Sequence, residues 1–363
     1  MTGQKTILHF ITGLNYGGAE HMMYKTLEYL DHLKYRLLIG SMVGGTFEPE
    51  LRKKYPVLVL NATNFLKLPF ALWRLRRLIM RENVDIVHSY LFHANILARF
   101  AAIGTGAKVI SSIRIKEIEK ESHNVIDAWT SWLVDKYTCV SNSVREFVIR
   151  KEHISSDKII TIPNGLDFSK FEIKIDQDKK LKELCVTRPV IVSVANLRTT
   201  KDYPTLFNAM AIVLRSQKIH LLVVGKGECE AEYKRIAHEL ALDEFVHFLG
   251  YRSDALEIVS ASDVCILSTF YEGQSNSLLE YMALKKSIIA TDIEENCEVI
   301  TDEVEGLLIA PRSPDKMAEA ILRVLNDASL KTKLINNAYV KVRKNHDIIR
   351  VAQQTEKLYE ELL

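Results

Sequence analysis

The sequence predicts an α/β protein of two domains, each a parallel sheet with helical crossovers. Its 363 residues exceed the ~250–300 at which single cores stop growing. Its 47% apolar content suffices for two packed cores. Short apolar runs alternate with helical patterns along the whole chain, as in parallel strands joined by helices.

The strand candidates 6–12, 36–42, 57–60, 84–88, 108–113 and 137–140 form a first series. A second follows at 158–162, 189–195, 219–224, 246–248, 264–267, 287–291 and 307–309. After 158–162, Pro163-Asn164-Gly165 and a charged stretch from Lys170 to Lys182 break the series, and Val190-Ile191-Val192-Ser193-Val194 reads as a buried strand opening a new unit. The expected domains are residues 1–175 and 176–346.

Net charge is +2, with +7 in residues 1–170 and −5 in the remainder. A basic first half suits an anionic membrane surface, an anionic acceptor or nucleic acid. Five scattered cysteines without a CxxC pair read as a reduced, cytoplasmic protein. The chain enters the strand pattern Thr6-Ile7-Leu8-His9-Phe10-Ile11 directly, so no signal peptide is expected. No apolar run approaches the ~18 residues that span a bilayer. Asp176-Gln177-Asp178 falls in the charged stretch and reads as solvent-exposed. No HExxH or zinc spacing occurs, so no metal or other cofactor is expected.

The segment Phe270-Tyr271-Glu272-Gly273-Gln274-Ser275-Asn276-Ser277-Leu278-Leu279-Glu280 is the most informative. The apolar run Val264 to Leu267 precedes it, and the helical pattern Leu278, Leu279, Met282, Ala283 follows. Glu272 therefore belongs to a loop at a strand's carboxyl end and Glu280 to the first turn of the next helix. Open α/β sheets bind ligands at that end. Ser277 and Glu280 also fit a capping box, with Ser277 as N-cap. Asn196-Leu197-Arg198-Thr199-Thr200-Lys201 follows the strand at 189–195 and supplies cations at the same end. Two glycine loops, Gly13-Leu14-Asn15-Tyr16-Gly17-Gly18 and Gly225-Lys226-Gly227, follow strands, where backbone amides can approach a phosphate. Val87-His88-Ser89-Tyr90-Leu91-Phe92-His93 ends a strand of the first series. From Leu68 to Arg81 a basic amphipathic helix places Leu68, Leu72, Leu75 and Ile79 on one face and Arg74, Arg77 and Arg81 on another.

The Glu-x7-Glu spacing in this strand–glycine–helix context resembles glycosyltransferase family 4: retaining, sugar-nucleotide-dependent enzymes of the GT-B fold, with two Rossmann-like domains whose parallel sheets face a central cleft. The Gly-Gly-Ala-Glu loop at 17–20 resembles members from bacterial surface-polysaccharide pathways. The resemblance implies that Arg198 and Lys201 stabilise the diphosphate, Glu272 orients the sugar, Glu280 holds the ribose, and His88 or His93 contacts the transferred sugar. It further implies a donor pocket formed by Gly17, Gly18, Asn196, Gly225, Gly227, Tyr251, Arg252, Gly273, Gln274, Ser275, Asn276 and Ser277, and a last helix, 347–363, returning to the first domain.

The chain departs from the family pattern at Asn196, where arginine is usual, at Lys285 and Ser287, where glycine and proline are usual, and at Glu294-Glu295, where two glycines are common. The resemblance implies transfer of a hexose or N-acetylhexosamine, from a UDP-linked donor in preference to a GDP-linked one. The implied acceptor is a polyprenyl-diphosphate-linked saccharide of capsule, O-antigen or exopolysaccharide synthesis, reached at the inner face of the cell membrane through helix 68–81, with no nucleic-acid partner. The departures motivate a rival reading: a non-catalytic, nucleotide-binding partner of a polysaccharide assembly complex. A hydrolase using Glu272 and Glu280 is a third, disfavoured by the basic loop.

Overall fold

The computed structural model describes residues 3–15, 17–116, 118 and 120–363, the side chain of Phe65 excepted. The chain divides into two compact units, Met1–Gly165 with Ile348–Leu363, and Leu166–Asp347.

In the first unit β1 (Lys5–Ile11), β2 (Tyr35–Ser41), β3 (Val57–Val59), β4 (Ile86–Tyr90), β5 (Lys108–Ile113), β6 (Lys136–Cys139) and β7 (Ile159–Thr161) form one sheet in the order β3-β2-β1-β4-β5-β6-β7. All neighbours are parallel. Both faces are covered, so β1 alternates between two cores. Ile7 and Ile11 meet Met23, Leu27, Val351 and Leu358 from helices Gly18–Tyr29 and Ile348–Leu362. Leu8 and Phe10 meet Leu75, Ile79 and Ala98 from helices Leu68–Arg81 and Phe92–Ala102.

In the second unit β8 (Val190–Val194), β9 (His220–Val224), β10 (Val246–Gly250), β11 (Val264–Leu267), β12 (Ser287–Thr291) and β13 (Leu307–Ile309) follow the order β10-β9-β8-β11-β12-β13, again parallel throughout. Strand order reverses between β1 and β4 in the first sheet and between β8 and β11 in the second. Crevices at such reversals, at the strands' carboxyl ends, are where these sheets bind ligands.

Three expectations need correction. The segment 158–162 opens no second series, because β7 pairs with β6 and closes the first sheet. The division falls at Gly165/Leu166 and not at 175/176. The charged stretch is no linker: Asp176 caps helix Gln177–Glu183 by accepting from the Lys179 amide at 3.0 Å. Leu181 of that helix is buried, and Lys180 reaches Asp254 at 2.7 Å and Glu257 at 2.6 Å. Charge density there reflects an amphipathic helix ion-paired to Asp254 and Glu257. Lys285 also explains a departure from the family pattern. It follows helix Asn276–Ala283 at φ +55°, the left-handed position that glycine usually fills after a helix.

Candidate functional site

The loops that follow β8 and β11 meet at the second sheet's reversal point. They run side by side: the Phe270 amide donates to the Thr200 carbonyl at 2.9 Å and the Asp202 amide to the Ser268 carbonyl at 3.1 Å. The hydroxyls of Ser268 and Thr269 add bonds to the carbonyls of Asp202 (2.9 Å) and Thr200 (3.0 Å). This stitching seats Lys201 against Glu272, whose ammonium and carboxylate are hydrogen-bonded, each side chain only 14% exposed. Tyr233, from helix Glu230–Glu239, braces the basic loop by donating to the carbonyls of Arg198 (2.7 Å) and Lys201 (2.8 Å). Arg198 itself points outward. Its side chain is 61% exposed, with Nε 3.8 Å from the Glu228 carboxylate. Asn196 is exposed beside it.

Gly225 and Gly227 are glycines because their loop lies directly on residues 195–197. A Cβ at Gly225, where φ is +140°, would sit 2.0 Å from the Ala195 carbonyl oxygen, and one at Gly227 would sit 2.1 Å from that of Leu197. Backbone bonds Ala195 N to Val224 O (3.0 Å) and Leu197 N to Lys226 O (3.1 Å) hold the two loops together. The glycines thus position the loop that carries Arg198 and Lys201.

The expected capping box is absent. Helix Asn276–Ala283 starts earlier, with Ser275 as its N-cap accepting from the Leu278 amide at 3.3 Å. Ser277 is already helical and donates to the Val194 carbonyl at 2.6 Å, while Tyr281 accepts from the Val194 amide at 2.8 Å. The last residue of β8 is thereby satisfied by this helix. Glu280 lies a full turn in and is half-buried. Gly273 is buried, and Gln274 and Asn276 are half-buried in the same turn. After β10, Tyr251 is 60% exposed, whereas Arg252 makes a two-pronged contact with Asp254 at 2.7 and 2.6 Å. That guanidinium, with Lys180, holds the Asp254 carboxyl well below the usual range. Of the two acids at 294–295, Glu294 is exposed and Glu295 is turned inward, 4% exposed.

Sequence reasoning missed Tyr233 and Arg312. The Arg312 guanidinium lies 5.0 Å from the Phe270 ring, close to the Glu272 loop. Its only signal was its place just beyond β13.

In the first unit Gly17 is the extended N-cap of helix Gly18–Tyr29, and Gly18 is that helix's first residue. Tyr16 lies outside the described residues. His88 is a packed residue, not an open one. Its Nε2 meets Ser112 Oγ at 2.8 Å, its Nδ1 meets Tyr359 Oη at 2.7 Å, and it is 4% exposed. Burial, then His9 and Arg114, push its pKa well down. His93 is exposed on the first turn of helix Phe92–Ala102, edge-on to His123 at 5.4 Å.

Helix Leu68–Arg81 buries Ala71, Leu75, Leu78 and Ile79. Arg74 does not join the outer face as expected, because it donates to the Leu60 carbonyl at 3.1 Å. The outward stripe is Phe70, Trp73, Arg77, Met80 and Arg81, with Arg77 5.3 Å from the Trp73 ring. A second stripe was missed: Val125 (67% exposed), Trp129 (74%) and Trp132 (73%), on helix Glu121–Thr130 and the turn after it. Its signal was an apolar repeat at helical spacing. Among the described residues no helix is long and apolar enough to cross a membrane.

Two family models account for most of the chain. "Glycosyltransferase Family 4" matches residues 16–170 and "Glycosyl transferases group 1" matches residues 174–341. The chain belongs to glycosyltransferase family 4. Among relatives, an Escherichia coli UDP-Gal:alpha-D-GlcNAc-diphosphoundecaprenol alpha-1,3-galactosyltransferase is 27% identical over 78% of this chain and 77% of its own. A Campylobacter jejuni N-acetylgalactosamine-N,N'-diacetylbacillosaminyl-diphospho-undecaprenol 4-alpha-N-acetylgalactosaminyltransferase is 24% identical over 96% of this chain and 97% of its own. Anabaena Alr3699/HepE, solved in complex with UDP, superposes with a TM-score of 0.89 at 19% identity, over 98% of this chain and 100% of its own. That likeness establishes the GT-B fold for this family 4 member, with its two parallel-sheet domains.

Proposed function

We propose that this glycosyltransferase moves a hexose or N-acetylhexosamine, with retention, from a UDP-sugar to a saccharide on a polyprenyl diphosphate. The carrying observation is the Lys201–Glu272 pair at the reversal point of the second sheet. A departing nucleoside diphosphate gathers negative charge. A fixed ammonium, with the exposed guanidinium of Arg198 three residues earlier on the same loop, can neutralise that charge without proton transfer. The reading therefore needs no metal. Glu280 accepts hydrogen bonds from the ribose diol. Glu272 orients the sugar. Its pairing with Lys201 holds the ammonium in place before the donor arrives. The leaving phosphate takes the proton of the acceptor hydroxyl, so no side chain serves as an obligatory base. His93, the exposed histidine, positions the sugar in preference to His88. The glycine loop at 225–227 and the turn 273–277 line the donor pocket, and the backbone at Tyr251 and Arg252 meets the base.

The names of the E. coli and C. jejuni relatives support a lipid-linked acceptor, and the UDP complex of the Anabaena protein supports the base. Such an acceptor brings the enzyme to the inner face of the cell membrane. The Phe70–Trp73–Met80 stripe, with Arg77 and Arg81, has the aromatic and cationic make-up of an interfacial helix, and Val125, Trp129 and Trp132 form a second exposed apolar stripe in the same unit.

The test is transfer from UDP-sugars to a prenyl-diphosphate-linked N-acetylglucosamine, with the product's anomeric configuration read by NMR. An α-linked product supports the reading and a β-linked product contradicts retention. UDP binding without turnover on any acceptor favours the non-catalytic partner, the reading that Asn196 and the exposed Glu294 motivate.

A further inference from the structure

Arg114 stands just beyond β5, at the carboxyl end of the first sheet. Its Nη2 donates to the side-chain oxygen of Asn164, an amide 4% exposed and without charge. Among the described residues no carboxylate forms an ion pair with it. Glu20 and Tyr90 act on it only through space. Burial pushes its pKa down to about 10, so it is cationic at neutral pH. A half-buried cation whose hydrogen-bond partner is neutral gains from an anion that joins it. Two cavities meet at this side chain. One is lined by Leu91, Asn95, Ser112, His123 and two acids, Glu152 and the Asp127 that pairs with Arg99; the other is lined by His88, Tyr90, Ser112 and Asn164. Asn95 is 1% exposed; its Nδ2 donates to the Ser112 carbonyl at 3.2 Å, while its Oδ1 has no partner among the described residues. The site thus offers a guanidinium with free donors and, close by, a buried acceptor.

We propose that Arg114 is the anion anchor of the first unit, binding a phosphate of the lipid-linked saccharide acceptor while Asn95 accepts a hydrogen bond from a hydroxyl of the adjoining sugar. This rests on the acceptor reading above. The guanidinium fork matches phosphate oxygens, and a glycosyl phosphate presents both an anion and neighbouring hydroxyl donors. The donor's diphosphate already has cations of its own in the second unit, Lys201 and Arg198.

The experiment measures affinity of the full chain for three probes: farnesyl-diphosphate-linked N-acetylglucosamine, octyl N-acetylglucosaminide and UDP. Arg114→Gln is expected to weaken the diphosphate-linked probe by about 10- to 100-fold, leaving the octyl glycoside and UDP unchanged. Asn164→Asp keeps the arginine but places a carboxylate against it. It is expected to raise the melting temperature and yet lose the same affinity, whereas a merely structural Arg114 would give the stability gain with affinity intact. Unchanged affinity in both folded variants overturns the assignment and leaves the acceptor reading standing. Loss of UDP affinity instead assigns the anion to the donor and also overturns it. A wild-type chain that takes no diphosphate-linked probe, though it binds UDP, overturns the acceptor reading and this anchor with it.

Discussion

The Lys201 ammonium is held by the Glu272 carboxylate across two loops that the second sheet brings together at its reversal point. A diphosphate arriving there competes with Glu272 for the same cation. Glu272→Gln is therefore expected to release the lysine and tighten UDP binding by up to about fivefold. Transfer should fall by about 100-fold or more, as when a fixed electrostatic contact is lost. Calorimetry beside a rate assay separates the two effects. Weaker UDP binding would mean that the pair is needed intact.

Stability and ligand binding should separate within helix Asn276–Ala283. Ser275→Ala removes the N-cap and should cost about 1 kcal/mol in urea unfolding. Glu280→Gln touches no cap and should leave stability unchanged, while weakening UDP by about tenfold through the ribose contact. A stability loss at 280 like that at 275 would restore the capping role.

Two buried histidines should make the first unit acid-sensitive. Burial pushes His9 down to about 3 and His88 well down, so both are neutral when folded. In the unfolded chain each titrates near 6.5. The folded state binds fewer protons between those values, so their contribution is full above pH ~6.5 and is lost as pH falls below it. Each histidine costs about 1.4 kcal/mol per pH unit until its folded pKa is reached. Urea unfolding at pH 7.5 and 5.5 checks this by tryptophan fluorescence, since Trp73, Trp129 and Trp132 all lie in the first unit. His9→Gln should remove about half of the dependence. A first unit more stable at pH 5.5 would contradict the account.

The exposed aromatic stripes should bind membranes. Sedimentation with vesicles containing anionic lipid is expected to fall about fivefold for Arg77→Gln, each cation near such a surface being worth ~1 kcal/mol. Trp129→Ser with Trp132→Ser should lower binding to anionic and neutral vesicles alike, because that contribution is apolar. Equal sedimentation of all variants would remove the surface from the account.

Much of this was legible in the sequence because β-strands buried on both faces announce themselves as apolar runs, and the loop glycines and acids sit at their ends. What escaped reading depended on partners far along the chain. Ser277 looks like an N-cap locally, but the Val194 carbonyl, 83 residues away, takes its hydroxyl. His88 looks like a rim residue until Tyr359, 271 positions on, closes over it. Lys170 to Lys182 looks like a solvated linker until Asp254 and Glu257 take up Lys180. Lys201 and Glu272 were each readable, yet their contact was not, since nothing in either loop's sequence states that the two loops lie side by side.

The most direct test of the central claim is calorimetric titration of UDP into the wild-type chain and into Lys201→Ala. The account predicts one site per chain in the wild type and affinity reduced by about 10- to 100-fold in the variant, the worth of a lost charge-assisted contact. Equal UDP affinity in a folded Lys201→Ala protein would contradict it and place the diphosphate elsewhere.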